Sequence, residues 1–175
     1  MELSSIAAGF GASDAMLKAG NVEMLLCRSI CSGKFMVMVG GVVADVQSAV
    51  EAGIAANKGT VIDAAVLSNI DESVFKAISG ATEVGELKAL GVIESFSVTS
   101  LIEAADAAVK AANIQLVEIR LAMALGGKAF ATMTGDVSSV QAAVDAGAAV
   151  VSEKGLLVNK IVIPRPHPSL LSEMI

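Results

Sequence analysis

Two hydrophobic periods alternate along the chain. Alanine-rich stretches with apolar residues at helical spacing predict helices over about 6–19, 43–57, 98–112 and 138–152. Short apolar runs rich in β-branched residues predict strands over about 22–30, 35–39, 61–67, 90–94, 114–121, 129–134 and 156–163. A polar connection over 71–90 predicts only a short helix near 74–78. This mixture of elements is typical of an α+β protein.

The chain contains one unit twice. The segment DAMLKAGN at 14–21 recurs as DAAVKAAN at 106–113, and VQSAVEAG at 46–53 recurs as VQAAVDAG at 140–147. The offset between matching letters grows slightly along the chain, as expected for short insertions in loops. The repetition therefore indicates a duplicated domain.

The repeat fixes the predicted domain organisation. We predict two tandem domains, over 1–83 and 84–175. Each is expected to be a β-α-β-β-α-β (ferredoxin-like) sandwich, with two helices on one face of its sheet. Only residues 1–3 remain of the first strand in the first domain, so that strand is expected to be short.

Composition narrows the class of protein. Hydrophobic residues make up 54% of the chain and charged residues 17%, which is too apolar for a disordered protein. The 12 basic and 18 acidic side chains give a net charge of −6, so we expect no nucleic-acid partner. Uncharged runs are shorter than the ~20 residues of a membrane span, and no basic signal region precedes one, so we expect a soluble cytoplasmic protein without a membrane partner. The excess apolar surface predicts an oligomer interface.

The repeated motifs resemble the bacterial microcompartment shell domain. The pattern D-x-x-x-K-A-x-N occurs twice, as do the Gly-Lys turns at 33–34 and 127–128. The helix motif G-D-V-x-x-V-x-x-A-V-x-A-G at 135–147 and the closing VIPRPH at 162–167 complete the resemblance. It covers nearly the whole chain and is closest to tandem-domain shell proteins of the propanediol-utilisation type.

This resemblance implies an assembly as well as a fold. Proteins of this family form trimers in which six domains make a flat, pseudohexagonal tile around a central pore. Tiles join edge to edge, with other shell proteins, into a cytoplasmic shell that encloses enzymes. The resemblance therefore implies a homotrimeric structural protein, not an enzyme, whose pore passes small metabolites.

The resemblance places two turns at the pore. The six pore-lining residues that it implies are Cys31, Ser32, Gly33, Leu125, Gly126 and Gly127. Glycines let the backbone approach an axis closely and expose N–H donors, which favours anionic or polar metabolites. Leu125 would narrow the passage. From the residues alone, each turn is also interpreted as an ordinary hairpin connection between two strands. If the trimer forms, the same turn is both a hairpin connection and part of the pore lining.

The same resemblance places three cationic residues at the tile edge. Lys18 and Lys110 lie near the ends of predicted helices, where a solvated lysine also favours the helix dipole. Arg165 stands between two prolines on a stiff, extended segment. The first domain has Asn69 in that position, so the two edge types differ and tile packing is expected to be directional.

Candidate chemistry is sparse. Cys27 and Cys31 lack a second pair or clustered histidines, so packed free thiols are favoured over a metal site, for which Cys31 is a weak candidate. The resemblance adds an alternative, because some relatives carry an iron–sulfur cluster on the three-fold axis and would carry electrons. Clusters need thiolates and the second half of the chain has no cysteine, so Cys31 would have to serve alone in each copy. The lone His167 lacks a catalytic partner and is expected to cap a turn.

Overall fold

The structure is a computed structural model that describes residues 1–85 and 87–170. The chain divides into two compact units. Unit 1 comprises Met1–Ser68 together with Ala122–Gly127. Unit 2 comprises Asn69–Leu121 together with the described residues from Lys128 onward. Within the described ranges, no helix combines the length and the apolar character that crossing a membrane requires.

Unit 1 is a four-stranded antiparallel sheet with two helices packed against it and against each other. The strand order is β2-β3-β1-β4. Its elements are β1 (Glu2–Leu3), α1 (Ile6–Ala19), β2 (Val22–Ile30), β3 (Lys34–Gly41), α2 (Val43–Ala56) and β4 (Val61–Asp63). One 3₁₀ turn, Cys31–Gly33, connects β2 to β3.

Unit 2 repeats this architecture and adds one helix. Its sheet has the order β6-β7-β5-β8, which matches unit 1 strand for strand. Its elements are α3 (Glu72–Ser79), β5 (Ala89–Ser95), α4 (Val98–Ala111), β6 (Ile114–Arg120), β7 (Ala129–Gly135), α5 (Val137–Glu153) and β8 (Leu157–Pro164). The predicted fold class is confirmed: each unit is an α+β sandwich in β-α-β-β-α-β order.

Small residues allow the helices to lie close to the sheets. A Cβ added at Gly9 of α1 would come within 2.2 Å of the ring of Phe35, which is buried on β3. A Cβ at Gly91 of β5 would come within 2.7 Å of Val140 and Val144 of α5. The glycine and alanine content of this chain therefore serves close packing, in which even one extra methyl group forces a shift.

The matching helices α1 and α4 begin in the same way. The hydroxyl of Ser5 accepts a hydrogen bond from the N–H of Ala8, and the hydroxyl of Ser97 accepts one from the N–H of Ser100. A serine in this position satisfies a backbone donor that the first turn of a helix leaves without a partner. The repeat is therefore preserved at the level of single hydrogen bonds.

Two of the elements whose bounds differ from the prediction do so for a clear structural reason. Strand β4 was predicted over 61–67 but ends at Asp63, because it pairs only with β1, which has two residues. In unit 2 the longer β5 pairs with β8 along its whole length. Helix α3 is longer than the predicted 74–78, because the Asp71 side chain caps its start by accepting from the N–H of Ser73 and Gly80 ends it at φ 70°.

Candidate functional site

The predicted pore turn of the first repeat is a tight hairpin. Ile30 and Lys34 close it as the last cross-strand pair of β2 and β3. Ser32 and Gly33 both adopt left-handed backbone conformations, at φ 63° and 73°. A left-handed non-glycine residue such as Ser32 is uncommon, so this turn holds its backbone amides in a defined direction.

The second predicted pore turn lies against the first, inside unit 1. The N–H of Cys31 donates a 2.7 Å hydrogen bond to the carbonyl of Ala122. Four residues of the 122–127 segment have positive φ, namely Ala122, Ala124, Gly126 and Gly127. A Cβ added at Gly127 would lie 3.2 Å from the Ser32 hydroxyl oxygen. The structure therefore brings together five of the six residues predicted at the pore, and Leu125 joins them through its backbone.

The Cys31 thiol sits among backbone N–H donors. The N–H of Leu125 lowers the pKa of Cys31 most, and the N–H groups of Ala124, Gly127 and Gly126 lower it further. Partial desolvation of the thiol opposes this effect but does not outweigh it. Donors aimed at one sulfur atom favour the thiolate, which is the nucleophilic and metal-binding form of cysteine.

A lysine stands directly behind each turn and pairs with a glutamate on the first strand of its unit. Lys34 Nζ lies 2.9 Å from Oε1 of Glu2, which is fully buried, and 3.4 Å from the carbonyl of Gly127. Lys128 Nζ lies 2.6 Å from Oε1 of Glu94. Sequence reasoning noted that the Gly-Lys turns recur but missed this pairing, for which the recurrence of Glu2 as Glu94 was an available signal.

The predicted edge lysines have different environments in the two units. Lys18 Nζ lies 2.6 Å from Oδ2 of Asp14, and both side chains are exposed. Lys110 Nζ lies 2.5 Å from Oδ2 of Asp106, whose side chain is buried. Oδ1 of Asp106 also accepts a 2.9 Å hydrogen bond from the N–H of Asp71. Sequence reasoning did not foresee this difference between matching residues.

Arg165 and His167 lie at the end of the last strand. Arg165 is exposed and adopts φ 49°, and its N–H donates to the carbonyl of Lys88 at 3.1 Å. His167 Nδ1 accepts a 3.2 Å hydrogen bond from the N–H of Ser169. The expected capping role of His167 is therefore confirmed.

The two cysteines lie in different environments, and this difference determines how the chain can contribute to an iron–sulfur cluster. Cys27 is exposed and its sulfur lies 3.3 Å from the Ser13 hydroxyl, so it has a different environment from Cys31. Among the described residues, no group of three or more His, Cys, Asp or Glu side chains is placed to hold a metal. Cys31 with its N–H donors therefore fits as a single thiolate ligand, and a complete ligand set would need further copies of the chain.

Comparison with known proteins places these features in a family. The BMC domain matches residues 1–70 and again residues 89–166. A crystal structure of a microcompartments protein from Desulfitobacterium hafniense DCB superimposes with a TM-score of 0.86 at 50% identity, covering 98% of this chain and 95% of that one. The chain belongs to the BMC-domain family and carries two such domains in tandem, which confirms the resemblance found in the sequence.

Relatives match either the whole chain or one of its domains. The bacterial microcompartment shell protein PduT of Citrobacter freundii is 46% identical over 175 residues, which is 100% of this chain and 95% of that protein. The bacterial microcompartment shell protein EutM of Salmonella typhimurium is 48% identical over 84 residues, covering 48% of this chain and 85% of that protein. This pattern is what a duplicated single-domain ancestor would produce.

Proposed function

We propose that this chain is a structural shell protein of a bacterial microcompartment, which assembles as a homotrimeric, pseudohexagonal tile. The observation that carries the proposal is the presence of two BMC domains along a chain that matches PduT from end to end. Three copies of a duplicated domain supply six similar units, and closed rotational symmetry is the commonest arrangement for such a protein. The protein is accordingly assigned to the microcompartment shell of the bacterial cytoplasm and is assigned no catalytic role.

The two turns that meet at Cys31 are assigned to the pore. Their residues are Cys31, Ser32, Gly33, Leu125, Gly126 and Gly127, and their left-handed backbone aims N–H groups at a common point. Successive backbone N–H groups in such turns form concave sites that favour anions. These N–H groups support passage of small anionic or polar metabolites.

The exposed cations are assigned to the tile edge, where other shell proteins also join. Lys18 and Arg165 are exposed, and Lys110 is half-exposed beside its buried aspartate. Flexible, exposed cations suit small contacts between tiles, which form and break more readily than the contacts inside a tile.

Electron microscopy of the purified protein tests this proposal. We expect particle averages with near six-fold symmetry and a central opening, and sheets or tubes at high protein concentration. Particles of single-chain size at every concentration, or averages without a central opening, would overturn the assigned assembly.

A second candidate function is electron transfer through an iron–sulfur cluster bound by Cys31 from each copy. It is favoured by the N–H donors around this thiol, because hydrogen bonds to cluster sulfurs stabilise the bound state and tune its potential. Anaerobic reconstitution with iron and sulfide tests it. We expect a brown protein that absorbs visible light from the native chain and from Cys27→Ser, but a colourless one from Cys31→Ser. A colourless native chain would eliminate this function.

A further inference from the structure

Matching faces of the two units differ in exposure. Phe10 on α1 is 62% exposed, whereas its counterpart Ile102 on α4 is 4% exposed. Leu25 on β2 is 43% exposed, whereas its counterpart Val117 on β6 is 5% exposed. The apolar face formed by α1 and β2 therefore lacks, within unit 1, a cover that the equivalent face has in unit 2. An apolar face of this kind marks a contact with another protein surface.

Helix α3 is the additional element in unit 2. It packs against both α4 and β6, and its Val74 and Ala77 are almost completely buried. The N–H of Asp71 at its start donates to Oδ1 of Asp106. Lys110 occupies the other oxygen of this carboxylate, so the aspartate links the start of α3 to α4.

The chain contains a second copy of the start of α3, located after β8. Asn69 and Arg165 precede the two copies with φ values of 52° and 49°. The Ser73 N–H donates to the Asp71 side chain at 2.9 Å, and the Ser169 N–H donates to the His167 ring at 3.2 Å. A backbone bond follows at the same position in each, from Val74 to Asp71 at 3.1 Å and from Leu170 to His167 at 2.9 Å.

This second copy is more exposed than the first. Leu170 is 40% exposed, whereas the matching Val74 is 0% exposed. Residues 167–170 thus repeat the cap and the first turn of α3, and the α1–β2 face has the exposed apolar surface whose equivalent in unit 2 packs against α3.

We propose that residues 167–170 of one copy, here called its C-terminal segment, pack on the α1–β2 face of a second copy, with the backbone N–H of His167 donating to the Asp14 carboxylate. Lys18 pairs with Oδ2 of Asp14, just as Lys110 pairs with Oδ2 of Asp106. Oδ1 of Asp14 therefore corresponds to the oxygen of Asp106 that accepts from the N–H of Asp71. This proposal rests on the proposed homotrimer and deepens it. Each copy gives its C-terminal segment to one neighbour and receives one from another, a head-to-tail contact that closes into a ring.

A disulfide between the proposed partners tests the contact. In a Cys27→Ser, Cys31→Ser background, Asp14→Cys is combined with His167→Cys. The chain supplies a matched control in Asp71→Cys with Asp106→Cys, because these two residues are the equivalent pair within one chain and are joined there by a 2.9 Å hydrogen bond. On a non-reducing denaturing gel we expect covalent dimers and trimers from the test pair, reversed by reductant, and only single-chain bands from the control pair, which loses its free thiols.

The outcomes separate this contact from the proposed assembly. A test pair that bridges within one chain, or keeps its thiols while the native chain is trimeric by light scattering, overturns the C-terminal contact and leaves the trimer standing. A monomeric native chain overturns both. Leu170→Glu tests the same contact without cysteines. We expect the dissociation constant of its trimer, measured by dilution, to be at least tenfold higher than that of the native trimer. An unchanged dissociation constant contradicts the contact.

Discussion

Lys34 and Glu2 form an ion pair of 2.9 Å in which the carboxylate is fully buried and the ammonium is mostly buried. The pair joins the short first strand of unit 1 to the turn that carries Cys31. In unit 2 the matching pair, Lys128 and Glu94, is partly exposed. One ion pair therefore occurs twice with different burial, which provides an internal comparison.

Removing the lysine is expected to destabilise unit 1 more than unit 2. Lys34→Met leaves a buried carboxylate without its cation, for which we expect a loss of about 3 kcal/mol in the free energy of unfolding. Lys128→Met breaks a solvated pair and should cost about 1 kcal/mol or less. Chemical denaturation of both variants measures the difference. Equal losses would contradict the assigned role of burial.

The Cys31 thiol is expected to react at lower pH than an ordinary thiol. Its pKa is lowered by N–H donors from Leu125 and its neighbours, so the thiolate forms at a pH where a free cysteine is still protonated. Alkylation rates of the Cys27→Ser chain as a function of pH measure this. Leu125→Pro removes the strongest donor and should raise the pH at which the alkylation rate is half-maximal. If the Cys27→Ser chain without this change already has the same half-maximal pH as a cysteine peptide, the assigned environment of Cys31 is contradicted.

Edge substitutions are expected to separate trimers from sheets. Lys18→Ala, Lys110→Ala and Arg165→Ala should leave the mass of the trimer unchanged, although Lys110→Ala also removes the cation beside the buried Asp106 and should lower the free energy of unfolding. Each should hinder sheet formation in the microscope, since contacts between tiles are small. Lys76→Ala, on α3, is the control. If all three variants form sheets as the native protein does, the assigned edge is wrong.

The difference between Asp14 and Asp106 gives a further test in the assembled protein. Asp14→Ala is harmless to an isolated unit 1, because its aspartate is exposed and its ion pair with Lys18 contributes only about 0.5 kcal/mol. In the trimer the same change removes the acceptor for His167, so we expect weaker association, measured by dilution in analytical ultracentrifugation. Glu51→Ala, an exposed acid on α2, is the matched control. Equal association constants for the two variants would count against the C-terminal contact.

Much of the fold was predictable because local pattern and tertiary structure agree. The predicted bounds of α1 and β2 match the observed Ile6–Ala19 and Val22–Ile30, since the helical and strand periods of these segments are written in the local sequence. The length of strand β4 was not predictable, because it is set by pairing with the two-residue β1 and not by the apolar residues of β4 itself.

The candidate site was predictable only in part, for a similar reason. Its glycines and lysines recur in the sequence, but the position of the 122–127 segment over Cys31 depends on contacts far apart along the chain. The contrast between Phe10 and Ile102 was also hidden, because both occupy the same apolar position in the repeat. Sequence pattern identifies which residues prefer burial, whereas the partner that buries them is defined by tertiary or quaternary structure.

The most direct test of the central claim is the mass of the purified native chain in solution, measured by light scattering coupled to size exclusion. The account predicts a trimer, with three times the 17.6 kDa of one chain, over a wide range of concentration. A mass equal to that of one chain, or an even-numbered assembly, would contradict it.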